Sequence, residues 1–431
     1  MADIPAIIGV VGGVAGVVSV WRVWRQEHRE ERQAFLTSYE KSIATLERQV
    51  ERETDAAKKD QKRQRLEAVE TEYLEQQEAY RQNKALQQSA PRGALTADRP
   101  RPSEAVATEL TELWQKARHL SPALLSADDR FLRGNALYDA ADFEAAVVEY
   151  TAALELEPDD PDTLNNRAIA LRNLGRYEEA LADYNRALDL RADSPATLSN
   201  RGTALIGLKR YEEALADCNR SLELRPDYPD TLTNRGAALT GLVRYEEALA
   251  DYDRSLKLRP DNPATLSNRG AALIGLKRYE EALADYNRSL ELRPDHPDTL
   301  SNRSAALIGL KRYEEALADC NRSLELRPDN PATLSNRGVA LCNLRRYEEA
   351  LADYNRSLEL RPDDPDTLYN RACLFSLTKR WSESLVDLRA AVAIAPDNKR
   401  LARKDEDFES LRNDPEWGPK FCEIVGREDK P

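Results

Sequence analysis

Residues 269–295 read RGAALIGLKRYEEALADYNRSLELRPD, and residues 201–227 read RGTALIGLKRYEEALADCNRSLELRPD. The copies differ only where Ala271 answers Thr203 and Tyr286 answers Cys218. Working outward, Ala146, Ala180, Ala214, Ala248, Ala282, Ala316 and Ala350 recur at a constant interval of 34 residues, with Ser384 closing the series. Eight copies fill residues 127–398. Within one copy, Tyr279, Ala282, Leu283, Tyr286 and Leu290 return at spacings of three and four, the apolar stripe of an amphipathic helix. The paired Glu280 and Glu281 fall on its solvated face. A polar residue followed by proline opens the preceding helix, as in Asn262-Pro263 and Asp364-Pro365. That places a capping side chain at the N-cap and a missing N–H where none is needed. Gly270, Ala282 and Ser289 are small enough for antiparallel helices to close on each other. Each copy is therefore a helix–turn–helix, and the fold class is all-α. A unit that buries its core only against its neighbours must stack into a solenoid.

The period, with Gly270, Leu273, Ala282, Tyr286 and Pro294 at their places in the fifth copy, resembles the tetratricopeptide repeat family over residues 127–398. Leu266 stands where that family has Trp, and Arg269 where it has Leu. An arginine in a helix seam needs an acidic partner or water, and Asp285 is the candidate. The resemblance implies a right-handed superhelical solenoid whose first helices, the A helices, line a concave surface that takes protein or peptide ligands. Residues 103–126, with Val106, Leu110, Leu113 and Trp114, are expected to cap the first repeat. Residues 399–431, with Phe408, Leu411, Trp417 and Phe421, resemble the closing helix that follows such arrays.

One position of the A helix is asparagine in seven successive repeats: Asn166, Asn200, Asn234, Asn268, Asn302, Asn336 and Asn370, with Leu132 in the first. An amide offers a donor and an acceptor, the complement of a peptide unit. The series is similar to the asparagine ladder in the repeats of the O-linked N-acetylglucosamine transferase, which makes these seven the candidate peptide-binding residues. The competing reading is that they satisfy neighbouring groups or face solvent in near-identical copies. Around them the fifth repeat presents Ala264, Ser267, Ala271 and Ile274, without a basic clamp. The helix openings alternate, with Asp162, Ala196, Asp230, Ala264, Asp298, Ala332 and Asp366. Those aspartates either favour a basic ligand or simply complement the helix dipole.

The rest of the 431-residue chain is read by composition. A net charge of -13 argues against a nucleic-acid scaffold held through phosphates. Five scattered cysteines and the distant His28, His119 and His296 show no metal-like spacing, so no metal or cofactor is expected. Residues 4–21 are uncharged and apolar, close to the ~20 residues that span a bilayer. Arg22, Arg25, Arg29 and Arg32 follow. Residues 1–21 are therefore expected to be an uncleaved single-pass anchor, with the repeats in the cytoplasm. The alternative is a Gly-rich helix buried in a soluble cytoplasmic oligomer. Residues 22–90 read as a helical, coiled-coil spacer, either one long helix or a hairpin bending near residues 58–61; the lack of Gly and Pro favours the long helix. Residues 91–102 are a linker.

Repeats, caps and spacer leave no nucleophile or acid–base constellation, so an enzyme is not expected. The expected function is a membrane-tethered scaffold that binds extended protein segments, with homo-oligomers possible through anchor and coiled coil. The alternative is an effector whose Gly-rich segment oligomerises or perturbs membranes when the repeats sense a partner.

Overall fold

The computed structural model describes residues 37, 40–52, 54–89, 108 and 125–426, and every regular element among them is helical. The segments expected to be anchor (1–21) and linker (91–102), and all but three residues of 103–126, lie outside the described residues. No described helix is long and apolar enough to cross a membrane. The chain divides into two compact units, Met1–Glu213 and Ala214–Pro431.

In the first unit, the spacer region is not one helix. Residues 40–52 are helical, and a second helix, Ala56–Ser89, starts afresh after Asp55. The Asp55 carboxylate accepts a hydrogen bond from the Lys58 backbone N–H at 3.0 Å, so an aspartate N-cap breaks a helix that no Gly or Pro interrupts. Ala56–Ser89 packs against Ala127–Asp139, the A helix of the first repeat. Two helical hairpins follow, Ala127–Asp139 with Phe143–Leu156 and Pro161–Asn173 with Tyr177–Leu190, and then the A helix Pro195–Gly207.

Helix Tyr211–Leu224 leads into the second unit. There the hairpins pair Pro229–Gly241 with Tyr245–Leu258, Pro263–Gly275 with Tyr279–Leu292, Pro297–Gly309 with Tyr313–Leu326, Pro331–Asn343 with Tyr347–Leu360, and Pro365–Leu377 with Trp381–Ile394. Helices Asn398–Lys404, Glu409–Arg412 and Trp417–Val425 close the stack. Their Leu411, Phe421 and Val425, with Phe408 of the 3-10 turn Glu406–Phe408, are buried in one cluster with Ala372 and Leu388.

The local causes repeat with the sequence. Asp160, Asn262 and Asp364 accept from the backbone N–H of Thr163, Thr265 and Thr367 at 3.0, 3.2 and 3.0 Å, and proline takes the next position. In the fifth repeat Ala272, Leu273, Ala282, Tyr286 and Leu290 are buried, while Tyr279 and Leu283 are half-buried. A Cβ added at Gly270 would lie 2.7 Å from Tyr286 Cζ, so this glycine is what lets the ring lie on the A helix. The B helix is tied to its own A helix where the Ser289 hydroxyl donates to the Pro263 carbonyl at 2.8 Å, a bond that Ser255, Ser323 and Ser357 repeat.

Candidate binding face

The recurring arginine of the A helix builds the framework around the face. The Arg269 guanidinium donates two parallel hydrogen bonds to Asp285, 2.7 Å from Nε and 2.6 Å from Nη2, and so confirms the expected partner. Arg235–Asp251, Arg303–Asp319, Arg337–Asp353 and Arg371–Asp387 repeat the fork in the second unit, and Arg167–Asp183 makes it in the first. The remaining Nη1 reaches the B helix of the preceding repeat, where it meets Asp253 from Arg269 at 2.7 Å and Asn287 from Arg303 at 2.8 Å. One side chain thus closes its own hairpin and staples it to the last. The Asp285 fork raises the Arg269 pKa further, so the charge is permanent.

The first repeat departs from this scheme. Arg133 and Arg130 share Glu149 at 3.4 and 3.5 Å, and Arg133 is almost wholly buried. Burial pushes the Glu149 carboxyl up and the Arg133 guanidinium down, as expected for charges withdrawn from water.

Three of the four aspartates at the helix openings already have an arginine partner. Arg191 binds Asp162 at 2.8 Å, Arg259 binds Asp230 at 2.8 Å, and Arg327 binds Asp298 at 2.6 Å. Each arginine ends the B helix of the same repeat, 29 residues after its aspartate. Asp366 is the exception because Ala395 occupies the arginine's place. Its carboxyl is held above the usual range by desolvation and by neighbouring Asp364.

Within the second unit, the A helices of the fourth to eighth repeats touch one another in succession, whereas neighbouring B helices make little or no mutual contact. The A helices of that unit therefore form one continuous packed face. Half-buried Ala271, Ile274, Ala305 and Ile308 lie on the A helices there, as do half-buried Asn234, Asn268, Asn302, Asn336 and Asn370.

The seven asparagines do not share one environment. In the first unit Asn166 and Asn200 are buried in a relay of amides. Asn200 donates to Asn165 at 3.0 Å, Asn165 to Asn166 at 3.2 Å, and Asn166 to Asn135 at 2.9 Å; Tyr150 also donates to Asn135, at 2.7 Å. Asn336 donates to the Ser301 carbonyl at 3.2 Å and to the Ser304 hydroxyl at 3.3 Å. Asn268, Asn302 and Asn370 make no side-chain hydrogen bond among the described residues.

A cluster that spacing alone did not reveal joins the eighth repeat to the closing helices. Cys373, Asp405 and Asp407 bring their ligand atoms within 4.8 Å of one another. The Tyr369 hydroxyl donates to Asp405 at 2.8 Å and the Cys373 thiol to the same oxygen at 3.8 Å, while the other Asp405 oxygen accepts from the Asp407 N–H at 3.0 Å. Those bonds anchor the turn after Lys404, and burial holds the Cys373 thiol protonated.

Three family models described as tetratricopeptide repeat match residues 303–366, residues 131–195 and 335–399, and residues 193–261, 227–295 and 261–329, which together run without a gap from 131 to 399. No curated protein matches the chain. Among solved structures, the Cut9–Hcn1 hetero-tetramer of the APC/C is similar at 17% identity with a TM-score of 0.56, covering 70% of this chain and 59% of that one. This chain therefore spans less than two thirds of that protein's length. A repeat protein of Parabacteroides merdae is similar at 21% identity and a TM-score of 0.44, covering 55% of this chain and 93% of that one. A thermophilic repeat protein of Thermus thermophilus is similar at 24% identity and a TM-score of 0.39, with coverages of 42% and 100%.

Proposed function

The chain belongs to the tetratricopeptide repeat family, and from that premise we propose that it is a non-catalytic scaffold holding an extended segment of a partner protein along the face of its A helices. Repeats of this family typically mediate protein–protein interaction. The observation that carries the proposal is the character of the A face in the second unit. Open amides at Asn268 and Asn302 lie among small aliphatic side chains, and the arginines and aspartates of the framework already neutralise each other. Such a strip suits a peptide backbone better than a folded, charged surface. Of the seven asparagines, Asn268, Asn302 and Asn370 keep open amides and serve as the candidate rungs, while Asn166, Asn200 and Asn336 are held inside the fold; a partner rich in Lys or Arg is disfavoured because Asp230 and Asp298 are paired.

Replacing Ala271 and Ala305 together with Arg would block the strip with long charged side chains at half-buried positions. The set of proteins crosslinked to the full chain in cells should then shrink while the helical circular dichroism stays intact. An unchanged set from a folded variant would refute the proposal.

The proposal includes a tether at residues 4–21, resting on their length and apolar character and on the arginines that follow. Full-length protein should resist carbonate extraction from membranes, and a chain lacking residues 1–21 should not. Complete recovery of the full chain in the soluble fraction would remove the tether. Toxicity that depends on residues 1–21 would favour the effector reading, in which Gly9, Gly12, Gly13 and Gly16 let anchors associate.

A further inference from the structure

The alternation of helix openings leaves an unequal set of arginines. Where the opening carries aspartate, the arginine ending the B helix binds it, as in Arg259–Asp230 and Arg327–Asp298 at 2.8 and 2.6 Å. Where it carries Ala196, Ala264 or Ala332, the equivalent Arg225, Arg293 and Arg361 have no such carboxylate. Arg225 lies over the Tyr228 ring at 4.4 Å, and Arg361 has Asp364 at 3.6 Å. Arg293 is exposed, and its guanidinium makes no ion pair or hydrogen bond among the described residues. The flanking repeats thus show what an arginine at this place binds, and in the fifth repeat that group is missing.

The same repeat carries an open rung. Ala264 and Asn268 are four residues apart on one helix and so lie on one face, a turn from each other. Asn302 is the corresponding amide of the next A helix, which touches the first. The closed rungs are shut by departures from the repeat. Asn135 stands where the fourth to sixth repeats have Ala237, Ala271 and Ala305, Asn165 where they have Thr233, Ser267 and Ser301, and Ser304 where neighbouring repeats have Gly270 and Gly338.

We infer that the fifth and sixth repeats form an acidic-peptide site: Arg293 takes an aspartate or glutamate side chain of an extended partner segment in the place an aspartate at 264 would fill, and Asn268 and Asn302 hold the backbone beside it. This rests on the reading above, that the A face holds an extended segment. Packed helices lie ~8–10 Å apart. An extended chain advances ~3.3 Å per residue, so about three residues separate the two rungs. Those residues meet Ala271, Ile274, Ala305 and Ile308 and are uncharged and small or aliphatic. A second charge there would be desolvated without a partner, since Arg269, Arg303 and Arg327 are already paired.

The test uses the full chain and a displayed library of random 12-residue peptides. Selected peptides should carry an Asp or Glu next to an uncharged run. Affinity of a labelled selected peptide should fall about two- to fivefold on Arg293→Ala, the range of an ion pair at an exposed guanidinium, and about two- to tenfold on Asn268→Ala or Asn302→Ala. Ala264→Asp should weaken binding as much as Arg293→Ala and still fold, because it restores the opening found in the repeats on either side. Replacing the peptide's acid with its amide should cost the same factor on the parent protein and almost nothing on Ala264→Asp. Ser304→Gly should leave binding unchanged, since Asn336 keeps its bond to the Ser301 carbonyl and lies outside the site. Peptides without a recurrent acid, or indifferent to Ala264→Asp while sensitive to Asn268→Ala, overturn this inference and leave the groove standing. Peptides indifferent to every substitution on the A face, the Ala271→Arg/Ala305→Arg pair included, overturn both, as does a failure to enrich any peptide.

Discussion

The sixth repeat carries two departures that meet at one contact, and exchanging them tests the packing logic of the repeats. In the fourth, fifth and seventh repeats a glycine on the A helix faces a tyrosine on the B helix. A Cβ placed at Gly236, Gly270 or Gly338 would come within 2.5–2.7 Å of a ring atom of Tyr252, Tyr286 or Tyr354. The sixth repeat has Ser304 and Cys320 at these two places, both fully buried. The Ser304 hydroxyl donates to the Ser301 carbonyl at 2.6 Å, and burial pushes the Cys320 thiol up to about 12. The serine occupies room that a tyrosine ring would need.

Cys320→Tyr alone should therefore be overpacked. The second repeat shows a methyl can be accommodated, since Ala168 and Tyr184 are both buried there, so the serine hydroxyl is the added burden. A loss of about 1–3 kcal/mol is expected from forcing ring and hydroxyl together. Ser304→Gly/Cys320→Tyr rebuilds the pair present in the fourth, fifth and seventh repeats and should be at least as stable as the parent. Urea unfolding followed by circular dichroism gives the four corners of the cycle, with a coupling of about 2 kcal/mol between the sites. A coupling near zero, or a Cys320→Tyr variant as stable as the double variant, would show that the glycine–tyrosine contact does not set the helix spacing.

Three further outcomes follow from single-copy features. The Tyr252 hydroxyl lies 3.2 Å from that of Thr240, whereas the buried Tyr286 hydroxyl has no partner; Tyr252→Phe should cost about 1 kcal/mol in urea unfolding and Tyr286→Phe should be neutral or stabilising by a similar amount. Equal effects at the two sites would contradict this. Val243 closes its inter-helix turn at φ 63° with its side chain largely in solvent, while Gly175 fills the same place at φ 76°. Val243→Gly should therefore raise stability by about 1 kcal/mol, and no gain would mean that the left-handed turn is not strained. His296 caps its helix by accepting from the Thr299 N–H at 3.3 Å, and desolvation lowers its pKa. A lowered histidine pKa means that the neutral folded form is favoured, so the contribution is complete above the unfolded value near 6.5 and is lost as pH falls below it. Relative to His296→Asn, whose amide copies Asn262 and Asn330, the parent should lose about 0.5–1 kcal/mol between about pH 7.5 and 5.5; parallel pH profiles would count against the cap.

The fold was legible because a strict period states the same helical hairpin many times, and the Arg269–Asp285 pair could be chosen since both residues belong to one hairpin. Contacts that depend on the stack were not. The third bond of Arg269 goes to Asp253 of the preceding repeat. The openings' aspartates meet arginines of their own hairpin 29 residues later, but at its open end, outside the apolar seam that the spacing marks. The continuous spacer failed at Asp55, a residue no helix propensity forbids but whose carboxylate caps better than it propagates. The asparagine series was visible as a series, yet its members differ because Asn135, Asn165 and Ser304 consume some of the amides. Hydrogen-bond partners across a packed interface are chosen by rotamer and distance, and neither has a period.

Near-identity between repeats raises a difficulty that the exceptions resolve. If every repeat offered the same amide and the same aliphatic wall, an extended ligand could slide by one repeat at little cost, and its register would be undefined. Moving an acidic residue from Arg293 by one repeat in either direction would bring it to Arg259 or Arg327, each already holding its own aspartate, where a second carboxylate is repelled. Moving it by two would bring it to Arg225, lying over Tyr228, or to Arg361, beside Asp364. Among the described residues, only the fifth repeat combines a guanidinium without ion pair, hydrogen bond or ring contact with an open amide on the same helix face and another on the next. An array made by duplication can thus acquire one defined binding register by withholding a partner once, and introducing Asp at 264 should return it to a face on which no position is preferred.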